Sequence, residues 1–368
     1  MRVGVPKEIK ISESRVGLTE SGVRQFVAQG HEVFVETQAG LGCLITDENY
    51  LSVGAKIVDS AKEVYENAEM IIKVKEPLPQ EYDLMQEGQL LFTYLHLAAE
   101  PQLAKILCDK KIQSIAYETI QESDGSLPLL TPMSEVAGRM ATQVGAFYLQ
   151  KDHGGKGILL GGVTGVKKAQ VTIVGGGVVG VQAAKMAVGL GADVILLDID
   201  HARLSFLDDL FQGRVQTLFS NAQNLEESVI NTDLLIGAVL VAGHKAPQLI
   251  TEAMIHKMSK GSVVVDVAVD QGGCIATCKP TSHVNPTYEI NGVLHYCVPN
   301  IPGVVPRTST YALTNATLPY GLTLAKYGLK KALEKKPILK SGINVYDGYI
   351  AYQAVAQDLN MEYRPYLN

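Results

Sequence analysis

The 368-residue sequence has no basic cluster, no long apolar run and no orderly cysteine spacing. Its 32 lysines and arginines stand against 38 aspartates and glutamates, a formal charge of −6, so the electrostatic footprint of a nucleic-acid binder is missing. No apolar stretch reaches the roughly 18 residues that span a bilayer, and the opening M-R-V-G-V-P-K-E-I-K lacks the apolar core of a signal peptide. Neither a membrane span nor export is therefore expected. Five cysteines (Cys43, Cys108, Cys274, Cys278, Cys297) are odd in number and scattered. Only Cys274 and Cys278 are close, and no Cys or His lies at ligand spacing from them. Buried, reduced thiols in a cytoplasmic protein are expected, with no metal. Repeats, heptads and low-complexity tracts do not stand out.

What is present is alternation. Apolar runs and amphipathic segments succeed one another from end to end, the pattern of α/β architecture with parallel sheets. Strands are expected over 2–5, 31–36, 70–75, 90–96 and 112–118. Thr131-Pro132 reads as an N-cap with proline at the first helical position, opening a helix through Lys151. A second set of strands follows over 171–174, 193–198, 215–219, 233–239 and 263–269. The proline- and glycine-rich stretch 297–306 follows a short strand and reads as an interdomain crossing. Helical patterns over 309–334 and 348–360 lack a sheet of their own and are expected to return to the first domain. The expected fold is α/β, with two doubly wound, Rossmann-like parallel-sheet domains. A nucleotide domain, 130–305, is inserted into a discontinuous domain formed by 1–129 and 306–368.

The stretch V-T-I-V-G-G-G-V-V-G, from Val171 to Gly180, is the most specific local signal. A buried strand, a glycine turn, a helix and a second strand ending in Asp198 and Asp200 make the βαβ unit that binds a dinucleotide. Gly175 permits the sharp turn, Gly177 lets backbone N–H groups approach a pyrophosphate, and Gly180 lets the helix lie close to the strand. The helix N-terminus presents unpaired donors and a positive dipole end to the phosphates. A carboxylate at the end of the second strand accepts from a ribose 2′-hydroxyl and repels a 2′-phosphate, so NAD is expected over NADP.

Ligands of open α/β sheets bind at the carboxyl ends of strands. Three apolar strands end there in ionisable groups: Lys75, His96 and Asp270. The first two fall in the first domain and the third in the nucleotide domain, as a cleft between two facing sheets would need. A dehydrogenase acting on a small acid needs an anion clamp, an electrophile for the carbonyl oxygen and a proton-transfer group. Arg15, in the loop I-S-E-S-R-V, is a candidate clamp because guanidinium pairs a carboxylate bidentately. His96 is the natural proton carrier. Lys75 can polarise a carbonyl oxygen. Each also has a plain alternative: a solvated lysine, a loop-bound histidine, a turn-capping aspartate or a surface arginine. Tyr94, two residues before His96, reads as a packing residue on the same face.

Several segments together resemble the NAD-dependent L-alanine dehydrogenase family. They are V-P-K-E-I-K with E-S-R-V-G-L-T-E, K-V-K-E-P, Y-L-H-L-A-A-E, L-L-T-P-M-S-E-V-A-G-R-M-A, G-G-V-T-G-V-K-K-A-Q-V-T-I-V-G-G-G-V-V-G and N-I-P-G-V-V-P-R-T-S-T. The resemblance covers almost the whole chain. It implies reversible conversion of L-alanine, NAD and water to pyruvate, ammonium and NADH by a homo-hexamer of two-domain subunits. It implies that Arg15 and Lys75 bind substrate carboxylate and carbonyl, and that His96 and Asp270 form the proton-transfer pair. By the same match Ser134, Val178, Val179, Asp198, Ser220, Val239, Leu240, the run Val267, Ala268, Val269 and Asp270, and the run Val298, Pro299, Asn300 and Ile301 line the nucleotide. Arg203 and Lys279 add basic contacts, and Met133 flanks the nicotinamide. The tail after Asn360 matches no motif of the family.

Two rivals share the nucleotide fold. The NAD-binding subunit of proton-translocating transhydrogenase shares the opening motif but needs no substrate triad, and Arg15, Lys75 and His96 argue against it. A catalytically silent NAD-binding module would be expected to lose the strand-end ionisable groups, which this chain keeps.

Overall fold

A computed structural model describes residues 1–239, 247–269 and 272–366. The chain divides into two compact units, Met1–Met133 with Gly303–Asn368, and Ser134–Pro302. In the first unit the chain forms β1 (Arg2–Val5), β2 (Glu32–Glu36), β3 (Lys56–Val58), β4 (Met70–Ile72), β5 (Leu90–Thr93) and β6 (Gln113–Ala116). The second unit contains β7 (Gln170–Val174), β8 (Asp193–Asp198), β9 (Gln216–Phe219), β10 (Leu234–Gly237), β11 (Val263–Asp266), β12 (Thr287–Ile290) and β13 (Val293–Tyr296). On returning to the first unit the chain adds β14 (Ile343–Tyr346) and β15 (Tyr349–Ile350).

The first sheet runs β15-β14-β6-β5-β4-β1-β2-β3 and the second β12-β13-β11-β10-β7-β8-β9. Six strands are parallel in each, and antiparallel pairing is confined to β14, β15 and β12. Both sheets are doubly wound, with chain order reversing between β1 and β4 and between β7 and β10, the points beside which such sheets take ligands. The central strands β5, β10 and β11 are buried along their whole length. They are apolar throughout because helices cover both faces of a parallel sheet.

Four strands were not expected from the sequence: β3, β12, β14 and β15. The last, β15, overturns the start of the expected terminal helix. Asp347 (φ 49°) and Gly348 (φ 83°) make a two-residue hairpin turn, and the helix begins only at Gln353. Val345 and Ile350 of this hairpin lie in the core of the first unit beside Ile71, Leu91 and Leu107, which ties the returning segment to its sheet. Full burial of one such side chain stabilises by about 1.5–3 kcal/mol. Beyond it, Arg364 donates its backbone N–H to the Ile350 carbonyl at 2.9 Å and lays its guanidinium over the Tyr349 ring. The unassigned tail therefore covers the β15 edge.

The helix Thr131–Tyr148 is present, but Thr131 is its first residue and its hydroxyl bonds the Leu127 carbonyl at 3.0 Å instead of capping. The long helix Pro306–Lys335 breaks at Gly328, where φ is 66° and ψ is 165°. No helix among the described residues is long and apolar enough to cross a membrane.

Candidate active site

Among the expected strands that stop early are the three that lead to the candidate ionisable groups, and in each of these a carboxylate takes over backbone donors. Beyond β4, Glu8 accepts from the N–H groups of Val74 (2.6 Å) and Lys75 (3.2 Å). Beyond β5, Glu118 accepts from Leu95 (3.1 Å) and His96 (2.6 Å). Beyond β11, Asp266 accepts from Ala268, Cys274 and Ile275 at 3.1–3.3 Å. Donors satisfied by side chains no longer need a ladder, so the strands end and their side chains are re-aimed.

In the first unit this happens beside the β1–β4 reversal. Lys73, fully buried, lies between Glu8 (3.3 Å) and Glu81 (2.8 Å), and Tyr65 donates to the same Glu81 carboxylate at 3.1 Å. Burial opposes the charge on Lys73, but the two carboxylates outweigh it and raise its pKa. Lys75, two residues on, differs: among the described residues its Nζ has no hydrogen-bond or ion-pair partner. Burial, reinforced by the charges of Arg15 and Lys10, lowers its pKa against the opposing pull of Glu76 and Glu13. A half-buried ammonium with no protein counterion is suited to an electron-rich oxygen of a ligand.

Arg15 is almost wholly buried and forked onto Glu13, with Nε to Oε1 at 2.7 Å and Nη2 to Oε2 at 2.5 Å. Its Nη1 reaches Met133 Sδ at 3.0 Å. Burial works against this guanidinium, yet hydrogen bonding and ion pairing with Glu13 raise its pKa. The next N–H, of Val16, donates to Thr310 Oγ1 at 3.2 Å, so the start of the long helix braces the loop.

His96 has a left-handed backbone, φ 49° and ψ 39°, a conformation costly for a non-glycine residue and common at functional sites. The Glu118 bonds hold it there. The ring Nδ1 lies 4.0 Å from Glu118 Oε1, and the ring stacks on Tyr94 at 5.9 Å with a 5° interplanar angle. Tyr94 is buried, and its hydroxyl donates to the Leu129 carbonyl at 2.6 Å. Its packing role is borne out, though through this stack beyond the end of β5 and not through a shared strand face. The sheet edge thus brings together Arg15, Lys75, Tyr94 and His96 in the first unit, with Met133 against Arg15. Glu8, Glu13, Glu81 and Glu118 were not anticipated.

In the second unit the glycine turn has the geometry a pyrophosphate needs. Gly175 has φ 103°, and a Cβ on Gly180 would stand 1.9 Å from the Gly175 carbonyl oxygen. A Cβ on Gly177 would meet nothing within 4 Å, which leaves the backbone approachable. The helix Val178–Gly189 starts here, with Val178 exposed and Val179 half-buried. Asp198 Oδ2 accepts from Gly176 N–H at 2.6 Å, and Arg203 Nε donates to the Gly176 carbonyl at 2.6 Å. Both side chains therefore fasten the turn as well as standing beside it. Asp200 is occupied elsewhere, capping the helix His201–Phe211 through Ala202 and Arg203 N–H. Ser220 donates its N–H to the Asp198 carbonyl at 2.9 Å, and Val239 packs at the Gly175 turn.

Val267, Ala268 and Val269 lie in the loop that Asp266 organises. Ser134 sits in the first turn of the helix Thr131–Tyr148. Val298, Pro299, Asn300 and Ile301 follow β13, with Asn300 at φ 56°. Lys279 is exposed, and its backbone N–H bonds the Tyr288 hydroxyl at 2.7 Å. Leu240 and Asp270 lie outside the described residues. The cysteines are all free, Cys43, Cys274 and Cys297 buried and Cys108 and Cys278 partly so. Burial pushes the thiols of Cys108 and Cys274 up to about 11 and about 12.

Residues 4–137 match the family model described as "Alanine dehydrogenase/PNT, N-terminal domain", and residues 141–353 match "Alanine dehydrogenase/PNT, C-terminal domain". The chain is 58% identical to alanine dehydrogenase of Methanococcus maripaludis, over 99% of this chain and 98% of that one. It is 57% identical to alanine dehydrogenase of Bacillus subtilis, over 99% and 96%. A solved structure of an L-alanine dehydrogenase is similar at a TM-score of 0.95 and 56% identity, covering 98% of this chain and 99% of that one. A transhydrogenase from Sinorhizobium meliloti shares the fold at a TM-score of 0.82 and 24% identity, covering 96% of this chain and 100% of that one. With both family models matched and full-length identity above one half, the chain belongs to the alanine dehydrogenase/PNT family.

Proposed function

We propose that this chain is an NAD-dependent amino-acid dehydrogenase that catalyses the reversible oxidative deamination of L-alanine to pyruvate and ammonium. The observation that carries the reading is the half-buried Lys75 ammonium, without a partner among the described residues, beside the clamped Arg15 guanidinium and the strained His96. That set fits a small molecule bearing a carboxylate next to an amine or carbonyl. Full-length likeness to alanine dehydrogenases supports the choice of substrate.

Bound NAD would supply the acceptor for the hydride of the alanine α-carbon. The glycine turn, the helix N-terminus at Val178 and the Asp198 carboxylate suit its pyrophosphate and ribose. Met133, Ser134, Arg203, Ser220, Val239, Leu240, Lys279 and the runs 267–270 and 298–301 are assigned to its surroundings. On the substrate side, Arg15 binds the carboxylate and Lys75 polarises the oxygen of the ketone or of the carbinolamine that precedes it. His96 carries the proton to and from that oxygen, and Asp270 holds the water or ammonia. A homo-hexameric assembly and a cytoplasmic location belong to the same proposal and rest on the family likeness. The test is NADH formation by the purified chain with NAD and a panel of amino acids. Activity with alanine is expected, and failure with alanine beside turnover of another amino acid would relocate the substrate.

A further inference from the structure

The loop that carries Arg15 belongs to no helix or strand, yet it buries an ion pair whose two side chains are 2% and 0% exposed. Burying two charges costs several kcal/mol per ion before their attraction and hydrogen bonds offset it. The partners are only two residues apart, so their mutual bond is a local one. What it does fix is direction. Glu13 accepts from Arg15 three times, from Nε (2.7 Å), from Nη2 (2.5 Å) and from the backbone N–H (3.1 Å). One carboxylate therefore locks the guanidinium plane to its own main chain and turns the Nη1 end toward Met133 Sδ at 3.0 Å.

The backbone on either side is pinned as well. Cys43 Sγ donates to the Ser14 carbonyl at 3.3 Å, and Val16 N–H donates to Thr310 Oγ1 at 3.2 Å. An arginine side chain otherwise samples many rotamers, and ordering one at the moment of binding costs affinity. Here that freedom is removed beforehand. We propose that Glu13 is a positioning residue that holds the Arg15 guanidinium in the one orientation in which it receives the carboxylate of alanine or pyruvate. The proposal rests on the reading of Arg15 as the substrate clamp and adds the residue on which that clamp depends.

The experiment compares Glu13→Gln, Glu13→Asp, Arg15→Lys and the double variant Glu13→Gln/Arg15→Lys, each as the full chain. KM for alanine and pyruvate, kcat, and the Kd for NADH by fluorescence are measured for each. Glu13→Gln is expected to raise both KM values by about tenfold or more, with a smaller loss of kcat and an unchanged Kd for NADH. In the Arg15→Lys background the same change should add less than about twofold, because a residue that acts through another loses its effect once that partner is altered. Glu13→Asp keeps the charge and should give an intermediate KM, which preserves the test should the glutamine variant fail to fold. Wild-type KM in Glu13→Gln beside a raised KM in Arg15→Lys would overturn the proposal, as would equal factors in the two backgrounds, or a wild-type KM in Glu13→Asp when that variant alone is foldable. Wild-type KM in Arg15→Lys would instead remove the clamp reading and the proposal with it.

Discussion

Glu118 grips the backbone of His96 more closely than its ring: Oε1 accepts the His96 N–H at 2.6 Å but lies 4.0 Å from Nδ1. The carboxylate therefore holds the left-handed turn that aims the imidazole. Glu118→Ala should lower kcat by about 10–100-fold through misplacement of the ring and cost about 1–3 kcal/mol by orphaning two N–H groups. His96→Ala should abolish alanine-dependent NADH formation while NADH still binds. Steady-state kinetics beside thermal denaturation check both, and a near-normal kcat in either variant would contradict the assignment.

The Asp198 carboxylate that the proposed function assigns to a ribose also accepts the Gly176 N–H at 2.6 Å. Asp198→Ala should improve use of NADP relative to NAD, and should also weaken NADH binding by loosening the turn. The ratio of kcat/KM values for the two nucleotides is the readout. An unchanged ratio would count against the ribose contact.

The glycines of the turn should separate by their surroundings. A Cβ at position 180 would meet the Gly175 carbonyl oxygen at 1.9 Å, whereas at position 177 it would meet nothing within 4 Å. Gly180→Ala is expected to lower both Tm and NADH affinity. Gly177→Ala should change stability by no more than about 0.5 kcal/mol, leaving Tm nearly that of the parent, and weaken NADH alone. Equal loss of Tm in the two variants would refute this division.

Alkali should unfold the first unit through its buried phenols. Burial raises the pKa of Tyr65, Tyr94 and Tyr117 above the ordinary value of 10.0. The fold therefore keeps protons that the unfolded chain sheds, and stability is full below pH 10 and falls as pH rises beyond it. Tyr94→Phe orphans the Leu129 carbonyl, a loss of about 1 kcal/mol at neutral pH, but should flatten the alkaline decline. Tm measured against pH decides the matter, and parallel curves for variant and parent would exclude this origin.

The parts of the fold legible in the sequence were those buried on both faces. The apolar run Val263 to Asp266 and the turn Gly175 to Gly180 announce themselves because a covered parallel strand and a pyrophosphate turn each restrict composition severely. Short strands escape that constraint more easily, although the exposed edge strand Gln216–Phe219 was expected and the buried Ile343–Tyr346 was not. Lys56–Val58 and Thr287–Ile290 are short and partly exposed, and the Tyr349–Ile350 strand follows an Asp-Gly turn easily absorbed into a helical pattern. At the site, Lys75 and His96 were visible as charges ending apolar runs. Their supports were not, because Glu8 and Glu13 look like surface carboxylates in a loop, and Glu118 like the last residue of a strand, until folding brings Glu8 to an N–H group 67 positions away and Glu118 to one 22 away.

Where the ladder hands its donors to side-chain carboxylates, amide hydrogen exchange need not await the opening of a sheet. Rotation of Glu8 or Glu118 alone uncovers the amides of Lys75 or His96, while those of β4 and β5 remain sealed by neighbouring strands. The rim that carries Lys75 and His96 can thus breathe one side chain at a time over a sheet that stays shut.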